Sequence, residues 1–203
     1  MYRRFGKRVV DVAASLSLLV LLSPVLAIVA LVVRLNLGRP VLFRQLRPGR
    51  GERPFVLLKF RTMTNAGEAD GGPLSDAQRL SRVGRALRNW SVDELPELWN
   101  IAKGDMSLVG PRPLLMQYLP RYSPHQRRRH EVRPGLTGLA QVSGRNALTW
   151  ERKFDLDVHY VDRYSLGLDI QILWRTFSAI VRRDGIARPG HATAPEFMGT
   201  PPP

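Results

Sequence analysis

One apolar segment near the start of the chain, residues 9–33, restricts the possible folds more than any other feature. It reads VVDVAASLSLLVLLSPVLAIVALVV, and Asp11 is its only charged residue. About 20 apolar residues are enough for a helix to cross a bilayer, and helices in the core of a soluble protein are seldom so uniformly apolar. The segment therefore predicts contact with a membrane.

A serine-proline pair, Ser23 and Pro24, lies in the middle of this segment. Proline removes a backbone hydrogen bond and kinks a helix, while the Ser23 hydroxyl can bond to a carbonyl that is freed. Each half is then about 20 Å long at 1.5 Å per residue, against a hydrocarbon core of about 30 Å. Because neither half spans alone, the break favours a re-entrant helix that dips into the membrane and returns.

Basic residues flank the segment on both sides. Four of the first eight residues are lysine or arginine, and four arginines follow the segment: Arg34, Arg39, Arg44 and Arg47. Basic flanks stay in the cytoplasm, and a straight span places only one flank there, whereas a re-entrant helix places both. Two alternatives remain open. One is a span kinked at proline, and the other is a signal peptide, whose apolar part is usually shorter and is followed by a cleavage site.

The whole chain of 203 residues is strongly basic, with 31 Lys and Arg against 17 Asp and Glu and a net charge of +14. Such a chain favours anionic partners: nucleic acid, phospholipid headgroups or phosphorylated small molecules. The net charge alone does not distinguish these three classes of partner. Without cysteine, neither a disulfide framework nor a thiolate metal site is possible, which fits a domain facing the cytosol.

Residues 39–183 predict a single domain that follows the membrane segment, residues 1–38. Two β-prone runs, residues 41–45 and 55–60, predict a small hairpin. Helical patterns follow at residues 81–89, 94–101, 150–164 and 168–183. The predicted fold class is α+β and mainly α: a re-entrant membrane helix, a small β-hairpin, and amphipathic surface helices around a compact core.

Less regular structure is expected elsewhere. Residues 65–78 are polar and glycine-rich and predict a loop, and the prolines and glycines of residues 105–145 predict short elements. Residues 184–203 predict a frayed tail. The amphipathic pattern of residues 168–183 fits a helix on a membrane surface and a helix facing a core equally well.

Two adjacent carboxylates, Asp93 and Glu94, form the densest cluster of chemically active residues. Ser91 with Glu94 has the spacing of a helix capping box, and Asp93 would complement the helix dipole. On spacing alone, that structural role is favoured. The functional alternative is that the pair, with Arg85 and Arg88 nearby, holds a divalent cation and a phosphate, or that one carboxylate is a nucleophile.

Further arginines and a lysine fit phosphate binding, although each signal is weak alone. Lys59 and Arg61 flank an aromatic residue at a predicted strand end, and Arg112 is confined between two prolines. Arg145 lies in a glycine-bearing loop. The four histidines predict no metal site and are expected at the surface or satisfied, and the basic run at residues 126–130 predicts a solvated face or a contact for anionic lipid.

Taken in order, the motifs resemble one family. They are KRVVD before the broken apolar segment, then GRPVLFRQ, LLKFRTM, VDELPELWN, GDMSLVGPRP and RPGLTGLAQVSGRN. Together they are similar to the bacterial sugar transferases of the small monotopic phosphoglycosyl transferase type, over residues 7–184. The chain matches the small, catalytic-core form of that family.

The resemblance implies a two-step transfer from a UDP-sugar to polyprenyl phosphate. Asp93 would attack the β-phosphate, release UMP and hold the phosphosugar covalently, with Glu94 assisting and Mg²⁺, held by Asp93, neutralising the diphosphate. The implied phosphate contacts are Lys59, Arg61, Arg88, Arg112 and Arg145. Ser23 and Pro24 would hold the re-entrant shape. The implied location is the cytoplasmic face of the bacterial inner membrane, with anionic lipid headgroups and no nucleic acid as partners.

Three positions depart from the family pattern. Glu97 stands where glutamine is common, Leu139 where tryptophan is common and Ser143 where asparagine is common, so the sugar donor is not predicted. The main alternative function is a basic, membrane-tethered binding protein without catalysis, which explains the charge but not the acidic pair among arginines. An inactive scaffold homologue is a second alternative, and the intact Asp93–Glu94 pair argues against it.

Overall fold

A computed structural model of the chain describes residues 2–64, 68–69, 72–73, 75–144, 147–182 and 196–199. Within these ranges the protein is mainly helical, and its strands form two-stranded sheets. The predicted α+β class, mainly α, is confirmed at this level. The chain folds around a principal apolar core that includes Leu57, Leu98, Ile101, Met106 and Ile172.

The apolar segment forms two helices with a sharp bend between them. A short π-helical turn, Tyr2–Gly6, leads into α1 (Lys7–Leu21), and α2 (Ser23–Leu37) follows at an angle of 64°. The Ser23 hydroxyl donates to the carbonyl of Val20 at 2.8 Å, as expected for the break. Among the described residues no single helix is long and apolar enough to cross a membrane, although α1 and α2 together have the length and composition.

The polar residues at the start of α1 fasten it to the rest of the protein. Lys7 pairs with the buried Asp169 at 2.6 Å. Arg8 donates to the carbonyl oxygens of Ile101 and Ala102 at 2.6 and 2.8 Å, in the last turn of a helix, where carbonyls lack the full set of helical partners. Asp11, 3% exposed, accepts from a backbone amide. The KRVVD motif therefore anchors the apolar segment to the rest of the protein, and its role as a membrane flank stays a prediction.

Helix α2, the second half of the apolar segment, also packs against the rest of the protein. Val29 and Val33 of α2 form a buried cluster with Phe60. Other apolar side chains of α1 and α2 remain exposed, among them Val20, Leu21, Val25, Ile28, Leu31 and Leu35. Each helix thus has one face against protein and another that is bare and apolar.

The predicted hairpin is confirmed. Strands β1 (Leu42–Pro48) and β2 (Pro54–Phe60) pair antiparallel, with Leu42 opposite Phe60, and the turn Arg50–Glu52 lies between them. The first strand is longer than predicted because its pairing continues to Pro48. The side chain of Asn100 donates to the Val56 carbonyl at 2.7 Å and accepts from the Leu58 amide at 3.1 Å. It therefore satisfies the free edge of β2.

Short elements fill the middle of the chain, as the prolines and glycines predict. Two-residue strands β3 (Glu68–Ala69) and β4 (Gly72–Pro73) and the helical turn α3 (Asp76–Arg79) occupy the predicted loop, and α4 (Arg82–Asn89) matches the predicted basic helix. The following elements are α5 (Glu97–Lys103), β5 (Ser107–Val109), the 3₁₀ turn Met116–Arg121, α6 (Pro124–Arg127), the 3₁₀ turn Arg128–Glu131, β6 (Gly135–Thr137) and α7 (Leu139–Val142).

A parallel pair of strands brings two sequence motifs together. Ser107 of β5 lies opposite Gly135 of β6, and Val109 lies opposite Thr137. A Cβ atom on Gly135 would lie 2.1 Å from the backbone nitrogen of Gly110. The glycine is needed because the two backbones approach closely, so GDMSLVGPRP and RPGLTG form one structural unit.

The long C-terminal helices are α8 (Trp150–Arg163) and α9 (Leu166–Arg182). On α9, Asp169 and Ile172 are buried against the core. A second face of the same helix leaves large apolar side chains exposed: Ile170, Leu173, Trp174, Phe177 and Val181. The core-facing role is therefore confirmed for one face of the helix, and membrane contact by the other face stays a prediction.

Two sequence-based expectations need correction. The basic run at residues 126–130 is not a solvated face throughout, because Arg129 and His130 are only 3% and 6% exposed. Most of the expected tail lies outside the described residues. Phe197, however, is 1% exposed and packs among Tyr118, Tyr122 and Phe154, so residues 196–199 are not frayed.

Candidate active site

The acidic pair lies in a tight turn rather than at a capped helix start. Ser91 adopts a left-handed conformation with φ of 55°, and residues Val92–Glu94 form a 3₁₀ turn. The Ser91 side chain makes no capping hydrogen bond, so the capping box with Glu94 is wrong. Helix α5 begins only at Glu97, directly after Pro96, and the Glu94 side chain is bound by cations rather than by the Ser91 backbone.

Glu94 is held by two cations. Its Oε1 lies 2.6 Å from Lys59 Nζ, and the Arg112 guanidinium contacts both carboxylate oxygens. Burial alone would raise the pKa of Glu94, but Arg112 and Lys59 outweigh it and hold that pKa well below its usual range. Glu94 in turn raises the pKa of Arg112. Glu94 and Arg112 therefore stabilise each other in their charged forms, and Glu94 orients both Lys59 and Arg112.

Unlike the Glu94 carboxylate, the Asp93 carboxylate has no hydrogen bond or ion pair within the described part of the chain. It is 8% exposed. Burial and the adjacent Glu94 raise its pKa, and the nearby charges of Lys59, Arg88 and Arg112 oppose that shift. An unpaired carboxylate among three cations keeps its lone pairs free to act as a ligand or a nucleophile, and the cations can bind an anionic group beside it.

Local structure explains why Lys59 and Arg88 lie close to the acidic pair. Lys59 lies at the end of β2, and Arg88 on α4 donates from Nε to Thr62 Oγ1 at 3.1 Å. A Cβ atom on Gly84 would lie 1.9 Å from the Thr62 carbonyl oxygen. This glycine therefore allows α4 to lie directly against the chain that follows β2, which brings Arg88 to the acidic pair.

Arg129 positions Arg112 by binding its backbone carbonyl. Its guanidinium binds Asp157 Oδ2 from Nε and Nη2 at 3.0 and 2.7 Å, and Nη2 also donates to the backbone carbonyl of Arg112 at 2.7 Å. Both members of the Arg129–Asp157 pair are nearly fully buried. Sequence reasoning missed this positioning residue, because it placed the arginine-rich run on the surface.

Glu97 is a second missed residue. It is 2% exposed and lies 3.1 Å from Lys59 Nζ, so Lys59 is shared between Glu94 and Glu97. Burial, reinforced by Glu94, raises the pKa of Glu97 to about 7 despite the opposing charge of Lys59. The only signal in the sequence is that glutamate replaces the common glutamine at this position.

A cavity of about 520 Å³ opens beside Glu94, and the neighbouring Asp93 is not among the residues that line it. Its lining includes the charged residues Arg88, Glu94 and Arg112 together with apolar residues of α7, α8 and α9, among them Ala140, Trp150, Phe154, Leu173 and Ile180. The Gln141 amide and the Trp150 indole nitrogen at its wall are buried without hydrogen-bond partners in the described structure. Buried polar atoms of this kind favour a ligand that supplies the missing bonds.

The structure brings only some of the predicted binding residues together. Lys59, Arg88 and Arg112 surround the acidic pair. Arg61 is buried and donates to the Arg39 carbonyl at 3.0 Å, and it does not line the cavity. Arg145 lies outside the described residues. Within the described ranges no group of three or more His, Asp or Glu could hold a metal ion by itself.

Comparison with known proteins decides the family. Residues 2–183 match the family described as bacterial sugar transferase. The chain belongs to the bacterial sugar transferase family. This transferase is 51% identical over 194 residues to the uncharacterized sugar transferase EpsL of Bacillus subtilis, and the match covers 96% of each chain.

Two further relatives carry more specific names. The transferase is 43% identical over 190 residues to the UDP-glucose:undecaprenyl-phosphate glucose-1-phosphate transferase of Caulobacter vibrioides, covering 88% of this chain and 70% of the relative. It is 37% identical over 199 residues to the undecaprenyl-phosphate galactose phosphotransferase of Salmonella typhimurium, covering 90% of this chain and 42% of the relative. The chain thus spans less than half of the Salmonella protein.

Proposed function

We propose that this bacterial sugar transferase moves a sugar 1-phosphate from a UDP-sugar to polyprenyl phosphate and releases UMP, which starts the assembly of a glycan. The observation that carries the proposal is the unpaired Asp93 carboxylate beside Lys59, Arg88 and Arg112. The named relatives, which act on undecaprenyl phosphate, support the same reaction class.

The reaction proceeds by two displacements at one phosphorus atom. A carboxylate oxygen of Asp93 bonds to the β-phosphorus, the bond from that phosphorus to the bridging oxygen breaks, and UMP leaves with the electron pair. A phosphate oxygen of polyprenyl phosphate then bonds to the same phosphorus and releases the Asp93 carboxylate. The cations that Glu94 orients stabilise the charge on the transferred group.

The donor set fits a magnesium ion that is shared with the substrate. Mg²⁺ prefers oxygen ligands and is commonly held by one or two carboxylates together with substrate phosphates. Asp93 supplies a carboxylate without other partners, whereas the oxygens of Glu94 are engaged by Lys59 and Arg112. When bound, the ion would neutralise charge on the diphosphate.

The same proposal includes a re-entrant attachment to the cytoplasmic face of the bacterial inner membrane. Supporting it, α1 and α2 bend by 64°, and both pack against one body, through Asp11 and through Val29 and Val33. The exposed apolar face of α9 adds a surface suited to lipid. The active-site cavity reaches α9, where a polyprenyl chain could leave the bilayer.

The chemical proposal is tested by UMP release from purified protein with Mg²⁺, undecaprenyl phosphate and a panel of UDP-sugars. Asp93→Asn should abolish release, because the amide is a poor nucleophile. Asp155→Asn on the exposed side of α8 is the matched control and should retain activity. Undiminished release by Asp93→Asn would reject Asp93 as the nucleophile, and no release with any donor would favour the binding-protein alternative.

The topological proposal is tested with tags at residue 1 and at the C-terminus. A re-entrant helix protects both tags in right-side-out cells and exposes both in inverted vesicles. Opposite exposure of the two tags would establish a membrane-spanning helix instead.

A further inference from the structure

A second cleft lies at the turn end of the β-hairpin, remote from Asp93. Its volume is about 570 Å³, and it lies between the loop after β1, the residues that follow α5 and the residues that precede β6. Lys59 is five residues along β2 from Pro54 at the cleft, which is roughly 17 Å at 3.3 Å per residue. The proposed transfer reaction does not use this cleft.

Arginines dominate the charge of this cleft. Arg50, Arg53 and Arg133 line it, and none of them has an ion pair in the described part of the chain. Arg50 Nε donates to the Glu131 carbonyl at 3.1 Å, and Arg133 Nε donates to the Gly104 carbonyl at 2.9 Å. These contacts fix the two guanidinium groups through Nε and leave their terminal nitrogens available.

The carboxylates in the cleft are already balanced by other cations. Asp105 lies 3.1 Å from Lys103 Nζ, and Glu131 lies 3.1 Å from Arg128 Nε. The cleft therefore keeps an excess of positive charge. Burial, reinforced by Arg8 and Arg50, lowers the pKa of Arg133, which shows that like charges are gathered there.

His130 supplies an independent sign that a ligand is missing. It lines the cleft, is 6% exposed, and has a buried Nε2 without a hydrogen-bond partner in the described structure. Burial, with the nearby Arg129, lowers its pKa to about 4, so the ring is neutral at pH 7. A neutral imidazole nitrogen without a proton accepts a hydrogen bond, and a singly protonated phosphate provides one.

We infer that this cleft is a second anion site, which binds a phosphate group between Arg50, Arg53 and Arg133, with His130 at its buried wall. Arginine forks match phosphate oxygens in geometry and remain charged at all relevant pH values. The phosphate belongs either to a soluble anion or to the headgroup of an anionic lipid, since the chemistry is shared.

Calorimetric titration of the full-length protein in detergent micelles tests the inference. The probes are pyrophosphate and the soluble lipid dihexanoyl phosphatidic acid, each with excess UMP present to occupy the catalytic site. Arg53→Glu reverses a charge in the cleft at an exposed side chain, and Arg163→Glu makes the same change at the end of α8. Thermal unfolding of both variants verifies that they are folded.

The expected result is binding of at least one probe, weakened about tenfold or more by Arg53→Glu and within about twofold of the parent in Arg163→Glu. The probe that binds more tightly identifies the source of the phosphate. Absence of binding for both probes would overturn the inference. Equal weakening by the two variants would do so as well, because it would reduce the effect to overall charge.

Discussion

Asp11, the only charged residue of the apolar segment, accepts a hydrogen bond from the backbone amide of Leu108 at 3.0 Å. Leu108 lies in the middle of β5, so a carboxylate in α1 is joined directly to the unit that carries the GDMSLVGPRP motif. Arg112 follows in the same motif. The broken apolar segment and the arginine that binds Glu94 are therefore connected through one structural unit.

Replacing Asp11 should destabilise the packing of α1 against β5. Asp11→Ala leaves the Leu108 amide buried without an acceptor, which costs about 1.5–3 kcal/mol for a bond to a charged group. Asp11→Asn retains an oxygen acceptor and should lose less. Thermal unfolding in detergent measures both, with the exposed Ser17→Ala as control. If Asp11→Ala melts at the parent temperature, the bond does not hold α1 in place.

Arg112→Lys should reduce UMP release about tenfold to a hundredfold. Lysine keeps the charge but loses the two-point contact with Glu94, and each such charged hydrogen bond is worth about 1.5–3 kcal/mol. Initial rates at saturating donor measure the loss. Arg152→Lys on the exposed side of α8 is the matched control. Equal rates for Arg112→Lys and the parent would show that the fork geometry has no role.

Glu97 should make the rate depend on pH near neutrality. Its pKa is raised to about 7 by burial and by Glu94, so it is protonated below that pH and leaves Lys59 to Glu94 alone. Above that pH the ionised Glu97 competes for Lys59. We therefore expect the rate to fall about twofold to fivefold as the pH rises through 7, and Glu97→Gln should remove this pH dependence. A pH dependence that persists in Glu97→Gln would be assigned to another group.

His130 should make the folded state less stable in mild acid. Its pKa is lowered to about 4 in the folded protein against an ordinary value of 6.5, so the unfolded chain binds more protons between these values. Stability is therefore complete above pH 6.5, falls as the pH decreases towards 4, and levels off below it.

The stability change is measured as the midpoint of urea unfolding between pH 7.5 and 5. His130→Gln should flatten the decline in this range, whereas His159→Gln, at an exposed position of α8, should leave it unchanged. The same slope in both variants would show that other groups cause the decline.

Local patterns predicted most of the architecture. The Ser23-Pro24 break, the hairpin, the basic helix before Asp93 and the two long C-terminal helices follow from proline chemistry, alternation and helical periodicity, which act within a few residues. The motifs also identified the acidic pair and three cations that the structure places around it. These features need no information about distant contacts.

Packing between distant parts of the chain decided the rest. The spacing of Ser91 and Glu94 predicts a capping box, but Lys59 and Arg112 from other elements bind Glu94 instead. Arg129 and His130 are expected at the surface because they belong to a basic run, and Phe197 because it lies in a stretch rich in Pro, Gly, Ala and Thr, yet all three are buried. Burial, ion pairing and the resulting pKa of Glu97 depend on residues far apart in sequence. Only the folded chain brings those residues within reach, and therefore only the tertiary structure separates the cations beside the acidic pair from the arginines of the second cleft.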